Sequence, residues 1–389
     1  MRILQIHPLM KSEALSPAAG GMAGAALHLT RLLVEAGHEV QVMPIPEGLG
    51  SRELWEVAPG KAVDVAAVMH IPGWRESAWL PRALMRLRPR SAGVKNLLYD
   101  SFALTALRRE LQIFRPQIIH NHLARMPFPR LARALGLRGN LVLTHHHGEA
   151  GEGLEVYDRV VFPSQSARET ISAQAGVPAA RTRWIPSPAP PEFSGVRVDL
   201  GRPRAGVLYV GAVRRRKGID LLLEAYRMDR GLWKDPLSVC GDGEDVGLVR
   251  QAERDGLPVR WLGHLSRAEV AVRLLETRLA VIPSRLECFS VALLEAVCCG
   301  VPVVGWGPTV RELEDRIGMP AGACFDGRSQ SASDLVAAMR PLLRQEEPPE
   351  YRPHLAAAAR KAFSPERYVQ EYLALYAEVL QSPGRTPGA

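Results

Sequence analysis

Two carboxylates, Glu287 and Glu295, stand eight positions apart in the run Glu287-Cys-Phe-Ser-Val-Ala-Leu-Leu-Glu295. The first leaves a short apolar run, residues 279–283, that reads as a strand. The second lies among Val291, Ala292, Leu293, Leu294, Ala296 and Val297, a stretch apolar nearly all round and so read as a buried helix. A carboxylate inside such a helix needs a hydrogen-bonding or charged partner, because an unpaired buried charge is very costly. Ligand hydroxyls can be that partner. The helix start, expected near Phe289, offers backbone N–H groups to an anion. Two acceptors beside an anion-binding helix end fit a sugar joined to a diphosphate.

Three further groups of residues could take part. Lys217, in Arg214-Arg215-Arg216-Lys217-Gly218, follows the apolar run 207–210 and precedes an amphipathic stretch; a cation there can neutralise a departing diphosphate. The plain alternative is a solvated basic turn. Gly20-Gly21-Met-Ala-Gly24 is a run of small residues before a helix, where backbone N–H groups can approach a phosphate. It is neither G-x-G-x-x-G nor a P-loop, so neither nicotinamide-cofactor nor ATP chemistry is indicated. Histidines cluster at His120-Asn121-His122 and at His145-His146-His147-Gly148. Imidazole clusters bind zinc, but no carboxylate or cysteine stands at metal-site spacing, so no metal and no cofactor are expected.

The elements that must position these residues alternate along the chain. Apolar runs at residues 3–6, 40–43, 65–69, 117–120, 141–144, 160–162 and 183–185 are separated by helical patterns such as 23–36 and 103–114. After a passage holding Pro186, Pro188, Pro190 and Pro191, a second series runs through 207–210, 237–240, 259–261, 279–282 and 301–304. Strands alternating with helices imply an α/β fold with doubly wound, mostly parallel sheets. The division expected is a first domain at 1–186, a linker at 187–204 and a second domain at 205–363, with a closing helix near 364–381 packed back on the first. Two such Rossmann-like units facing across a cleft would bind ligand at the carboxyl ends of their strands.

A chain of 389 residues, 47% hydrophobic and 23% charged, can build two or three sizeable cores. Residues 1–7 are too short for a signal-peptide core and read as a buried strand, and no apolar stretch reaches membrane-span length. Five cysteines without a C-x-x-C pair suit reduced thiols in a cytoplasmic protein. The formal charge of +8 suits an anionic ligand or surface. Residues 82–90, with Arg82, Arg86, Arg88 and Arg90, form a basic–apolar stretch able to lie on the inner face of an anionic membrane; a solvated surface helix is the alternative. The basic residues are not interleaved with stacking aromatics, so nucleic acid is not expected.

The ordered set resembles the retaining family 4 glycosyltransferases, which have the GT-B fold. It carries Glu-x7-Glu followed by Ala296-Val-Cys-Cys-Gly300-Val-Pro302, the Gly20-Gly21 loop, and Val210-Gly211 through Lys217-Gly218-Ile219-Asp220. Cys240-Gly241-Asp242-Gly243, Trp261-Leu262-Gly263 and a closing segment from Phe363 to Tyr376 complete it. The resemblance implies transfer of a sugar from a nucleoside-diphosphate donor to a hydroxyl of a saccharide, lipid-linked glycan or small metabolite. It implies that Glu295 accepts from the ribose, that Glu287 binds the transferred sugar beside Cys288, Phe289 and Ser290, and that Lys217 grips the diphosphate. It places Gly20, Gly21, Gly241 and Gly243 against the donor, and a histidine, His146 or His147, near the sugar. Where the family pattern has a second cation this chain has Ala212, so either Arg214, Arg215 or Arg216 supplies that charge or the clamp is weaker. The Asp-x-Asp metal–nucleotide pattern of the other large glycosyltransferase fold is absent. A nucleotide-sugar epimerase and an inactive nucleotide-sugar-binding protein share this architecture and stand as alternatives.

Overall fold

A computed structural model describes residues 1–7, 21–44, 53–65, 107–122, 139–146, 153–198, 204–326 and 331–382, with positions 105, 129, 132 and 135–137 besides. The chain divides into two compact units: Met1–Pro163, Ala167–Ile185 and Val369–Ala389 form one, and Ser164–Ser166 with Pro186–Tyr368 form the other.

The first unit is built on strands β1 (Arg2–His7), β2 (Glu39–Pro44), β3 (Glu53–Ala58), β4 (Lys61–Val65), β5 (Ile118–Asn121), β6 (Leu141–Thr144), β7 (Arg159–Phe162) and β8 (Thr182–Trp184), with helices α1 (Gly21–Glu35) and α2 (Gln165–Ala175) among them. They form one sheet in the order β3-β4-β2-β1-β5-β6-β7-β8, parallel except for the β3–β4 pair. The central strands β1, β5 and β6 are buried almost throughout, as parallel strands covered on both faces must be. The β3–β4 hairpin was not expected, although Pro59-Gly60 at its tip is a turn signal and Gly60 has φ 67°. The strand expected at 65–69 is instead Lys61–Val65, and residues 66–69 lie outside the described ones.

The second unit carries α3 (Pro191–Ser194), β9 (Val207–Val210), α4 (Ile219–Met228), β10 (Leu237–Cys240), α5 (Val246–Arg254), β11 (Val259–Gly263), α6 (Arg267–Glu276), β12 (Leu279–Ile282), α7 (Val291–Cys298), β13 (Val303–Trp306), α8 (Gly307–Ile317), β14 (Gly322–Phe325), α9 (Ala332–Arg344) and α10 (Tyr351–Ala362). Its sheet runs β11-β10-β9-β12-β13-β14, all parallel, and reverses direction of growth between β9 and β12. Alternate side chains enter different cores. Leu208, Ala280, Ile282 and Val303 pack with α6, α7, α8 and α10 on one face, while Val207, Tyr209, Val281 and Val304 pack with α4, α5 and α9 on the other. β14 escapes sequence reading because Gly322-Ala-Cys-Phe325 is short and weakly apolar. Strand β13 starts later than the expected 301, beyond Pro302, which has no N–H for a ladder.

Two connections differ from simple tethers. The Pro-rich passage expected as a linker is part of the second unit: Ala189 and Phe193 lie in its core, and the Ala189 N–H bonds the Phe363 carbonyl at 2.8 Å. Helix α11 (Pro365–Gln381) contributes Tyr372 and Tyr376 to the first unit. There the Tyr376 hydroxyl lies 2.6 Å from His120 Nδ1, and that of Tyr372 lies 2.8 Å from Thr144 Oγ1. Because Phe193 is fully buried, Phe193→Ala should cost about 3–5 kcal/mol, read as a lowered urea midpoint. An unchanged midpoint would mean that the passage is a tether after all.

Candidate functional site

The reversal between β9 and β12 brings two loops together at the carboxyl ends of the second sheet, where open α/β sheets bind ligands. One loop runs from Gly211 to Gly218 and the other from Pro283 to Ser290. Their contact depends on Gly218, which has φ 76° and so close an approach that a Cβ there would lie 2.0 Å from the Pro283 carbonyl oxygen. A single turn, Arg215–Lys217, ends at this glycine and presents Lys217 to the other loop. Lys217 Nζ lies 2.5 Å from Glu287 Oε1, and Ser284 Oγ donates to the same oxygen at 2.8 Å. Arg285 binds Asp220 of α4 through two bonds, 2.8 and 3.0 Å, and its backbone N–H reaches the Arg216 carbonyl at 3.0 Å. A bidentate guanidinium–carboxylate pair of this kind is geometrically selective and fixes one loop against the other.

The loop after β10 closes the next side. Gly241 has φ 136°, and a Cβ on it would collide with the Gly211 carbonyl oxygen at 1.9 Å; Gly243 approaches Val213 in the same way, with its Cβ position 2.4 Å from the Val213 carbonyl oxygen. The Val213 N–H bonds the Asp242 carbonyl at 2.9 Å, and Trp261 Nε1 donates to the Gly241 carbonyl at 2.9 Å. Gly241 and Gly243 thus let the loop after β10 pack backbone to backbone on the loop that carries Lys217.

Glu295, on α7, is 7% exposed, and burial pushes its carboxyl up to about 7; the Arg267 guanidinium opposes that rise and the Glu192 carboxylate adds to it. Arg267 Nε is 3.9 Å from Glu295 Oε1. It is placed there as the first residue of α6 by a capping box, in which Ser266 and Glu269 bond each other's backbone N–H groups. Glu192 comes from α3, and its Oε2 is buried without a partner among the described residues. Ser290 precedes α7 and is buried, and Phe289 packs on Phe363 with ring centroids 6.1 Å apart. Burial, reinforced by Glu312 and Glu287, pushes the Cys288 thiol up to about 12, away from the thiolate form.

The three arginines before Lys217 separate here. Arg215 is held by its backbone N–H to Asp245 at 2.7 Å and by its side chain near Asp220 at 3.5 Å. Arg214 faces Glu244 at 3.9 Å, and Arg216 is exposed. Gly21 opens α1, whereas Gly20 and His147 lie outside the described residues, as does the basic stretch 82–90. His146 belongs to the first unit, past the carboxyl end of β6, with Nε2 3.3 Å from His122 Nδ1. Among the described residues no group of three His, Cys, Asp or Glu side chains is placed to hold a metal, and no helix is long and apolar enough to cross a membrane. Sequence reasoning missed Ser284, Arg267, Glu192 and the Arg285–Asp220 pair; only Ser266-x-x-Glu269 carried a legible signal, that of a helix start.

The second unit's parallel sheet, in the order 3-2-1-4-5-6, sets Lys217, Glu287 and the glycine loops at its reversal, and two such α/β units define the GT-B fold. Residues 19–193 match the family described as Glycosyltransferase Family 4, and residues 200–362 match Glycosyl transferases group 1. The chain belongs to the family 4 glycosyltransferases. It is 27% identical to the 2-deoxystreptamine N-acetyl-D-glucosaminyltransferase of Streptomyces fradiae, over 82% of this chain and 83% of that one. Identity to the glycogen synthase of Mycobacterium tuberculosis is also 27%, over 73% of this chain and 74% of that one. In structure it resembles HepE of Anabaena, solved in complex with UDP and glucose, with TM-score 0.64 and 16% identity over 97% of this chain and all of the other.

The raised Glu295 carboxyl has a measurable consequence. In the unfolded chain it ionises near 4.5 and in the native protein near 7, so between these values the native state binds the extra proton and stability falls as pH rises. Glu295→Gln should remove that fall, on the order of 3 kcal/mol, and the variant should gain on the parent protein across this window in urea titrations. A constant difference between the two at every pH would contradict the buried, proton-holding Glu295.

Proposed function

We propose that this glycosyltransferase takes a sugar from a nucleoside-diphosphate donor and transfers it to an acceptor hydroxyl with retention at the anomeric carbon. The observation that carries the reading is the direct contact of Lys217 Nζ with Glu287 Oε1 where the sheet reverses. A bound donor would divide that pair, the ammonium turning to the diphosphate and the carboxylate, still held by Ser284, accepting from sugar hydroxyls. Glu295 would accept from the ribose, with the Cys288–Ser290 backbone and the Gly241 and Gly243 walls against the donor. Arg214 and Arg216, on the same turn as Lys217, are the cations available to reinforce the grip.

In the proposed reaction the bond from the anomeric carbon to the β-phosphate oxygen breaks as a bond to the acceptor oxygen forms on the same face. The transition state has oxocarbenium character, and the acceptor proton passes to the departing phosphate. The protein's part is electrostatic: a cation fixed where negative charge accumulates, with little reorganisation during the reaction. Glu287 and Glu295 are not the acid–base pair of a glycosidase, since Glu295 is assigned to the ribose. UDP and glucose in the structure of HepE support a nucleotide-sugar donor, and the Streptomyces fradiae relative, named for transfer to 2-deoxystreptamine, supports a small-molecule acceptor.

Nucleoside diphosphates of uridine, guanosine and adenosine, screened for thermal stabilisation, should pick out one base; a ligand at a hundred times its Kd adds about 2.7 kcal/mol. With the matching sugar donor, product NMR should show the donor's anomeric configuration, and Lys217→Ala should lower turnover about 10²–10³-fold with the fold intact. An inverted product, or near-normal turnover in Lys217→Ala, would overturn the reading.

A further inference from the structure

Glu287 takes both of its hydrogen bonds on one oxygen. Lys217 Nζ lies 2.5 Å from Oε1, and Ser284 Oγ donates to the same atom at 2.8 Å. Among the described residues nothing bonds Oε2, and Glu287 is the one side-chain partner of Lys217. The Glu287 side chain is 7% exposed and that of Lys217 23%, so the pair is largely withdrawn from water. Ser284 is fully buried, and its hydroxyl has no other acceptor among the described residues. Its position is rigid, because the Ser284 N–H bonds the Ile282 carbonyl at 2.9 Å across a three-residue turn centred on Pro283, whose ring fixes φ. Gly218, next to Lys217, packs on the carbonyl of that same proline.

A carboxylate and a diphosphate drawn to one ammonium face each other as like charges, which disfavours holding both. A diphosphate arriving at Lys217 therefore displaces Glu287. The ammonium exchanges one anion for another and loses little. Glu287 is left mostly buried with a single neutral donor, and an underpaired buried carboxylate is costly. Sugar hydroxyls reaching Oε2 supply the missing donors. A nucleotide sugar brings both halves of this exchange, whereas a bare nucleoside diphosphate brings only one.

We infer that Glu287 competes with the diphosphate for Lys217, so that the pair is a latch favouring the intact donor over its nucleoside-diphosphate product. Sugar hydroxyls hold the latch open by satisfying Glu287. Once the sugar has been transferred, Glu287 reclaims Lys217 and the diphosphate is loosened. Ser284 is the positioning residue that keeps Glu287 aimed while Lys217 is turned away. The latch rests on the reading that Lys217 grips the donor diphosphate.

Calorimetry with UDP, GDP and ADP tests the latch in the parent protein, Glu287→Gln, Lys217→Ala and the double variant. Glu287→Gln should bind the matching diphosphate about tenfold more tightly than the parent, since one charge-assisted bond no longer has to be broken. In the Lys217→Ala background the same change should bring no gain. An equal gain in both backgrounds would reveal only a general loss of negative charge, and weaker binding in Glu287→Gln would show that Glu287 organises the grip. Either result overturns the latch. If Lys217→Ala binds the diphosphate as the parent does, or if no diphosphate binds at all, the donor reading itself falls. With the matching sugar donor, Ser284→Ala should lower kcat about tenfold, and Ser284→Thr, which keeps the hydroxyl, should restore it. Unchanged turnover in Ser284→Ala, or an equal loss in a folded Ser284→Thr protein, overturns the positioning role.

Discussion

The second unit's site depends on how closely two loops can approach at the reversal of a parallel sheet. Gly218 admits the Pro283 carbonyl where any side chain would collide, and that approach, locked by Arg285 on Asp220, sets Lys217 against Glu287. A lysine and a glutamate seventy residues apart in sequence thus share one proton-rich contact with Ser284. In that contact the cation is supplied by the protein and held within reach of its counter-ion. Buried ion pairs add little net stability, because desolvation offsets attraction. In the proposed function this one supplies a partly buried cation where the donor diphosphate would arrive.

The two acids of the Glu-x7-Glu run sit in different electrostatic settings although they lie on one short stretch. Glu287 has an ammonium and a hydroxyl on the same oxygen. Glu295 is deeper, with a guanidinium at 3.9 Å and a second carboxylate, Glu192, nearby, so burial dominates and holds a proton on it near neutrality. Such a carboxyl can donate one hydrogen bond while accepting others, which suits a diol such as a ribose. The glycosyltransferase family to which the chain belongs is shown by its sequence; the division of labour between the acids is the present proposal.

Much of this was legible in the sequence because the signals were local. The alternating apolar runs gave both α/β units, and the all-round apolar stretch after Phe289 marked α7 and the burial of Glu295 before any coordinates. The clustering of Lys217 with Glu287 was suggested by family resemblance, not by spacing. Other features depend on distant contacts and left no local trace. Arg267 is placed by a cap on a different helix, Glu192 by a proline-rich passage that reads as a tether, and Ser284 is an ordinary serine until the strand end brings it under Glu287.

The claim at the centre is that Lys217 is a grip for phosphate and not merely a partner for Glu287. Calorimetry comparing a nucleoside diphosphate with its parent nucleoside isolates that contribution, in the parent protein and in Lys217→Ala. The account predicts that the diphosphate binds at least about tenfold more tightly than the nucleoside in the parent protein, consistent with a charge-assisted bond, and that the variant loses most of this preference. An undiminished preference in a folded Lys217→Ala protein would contradict it.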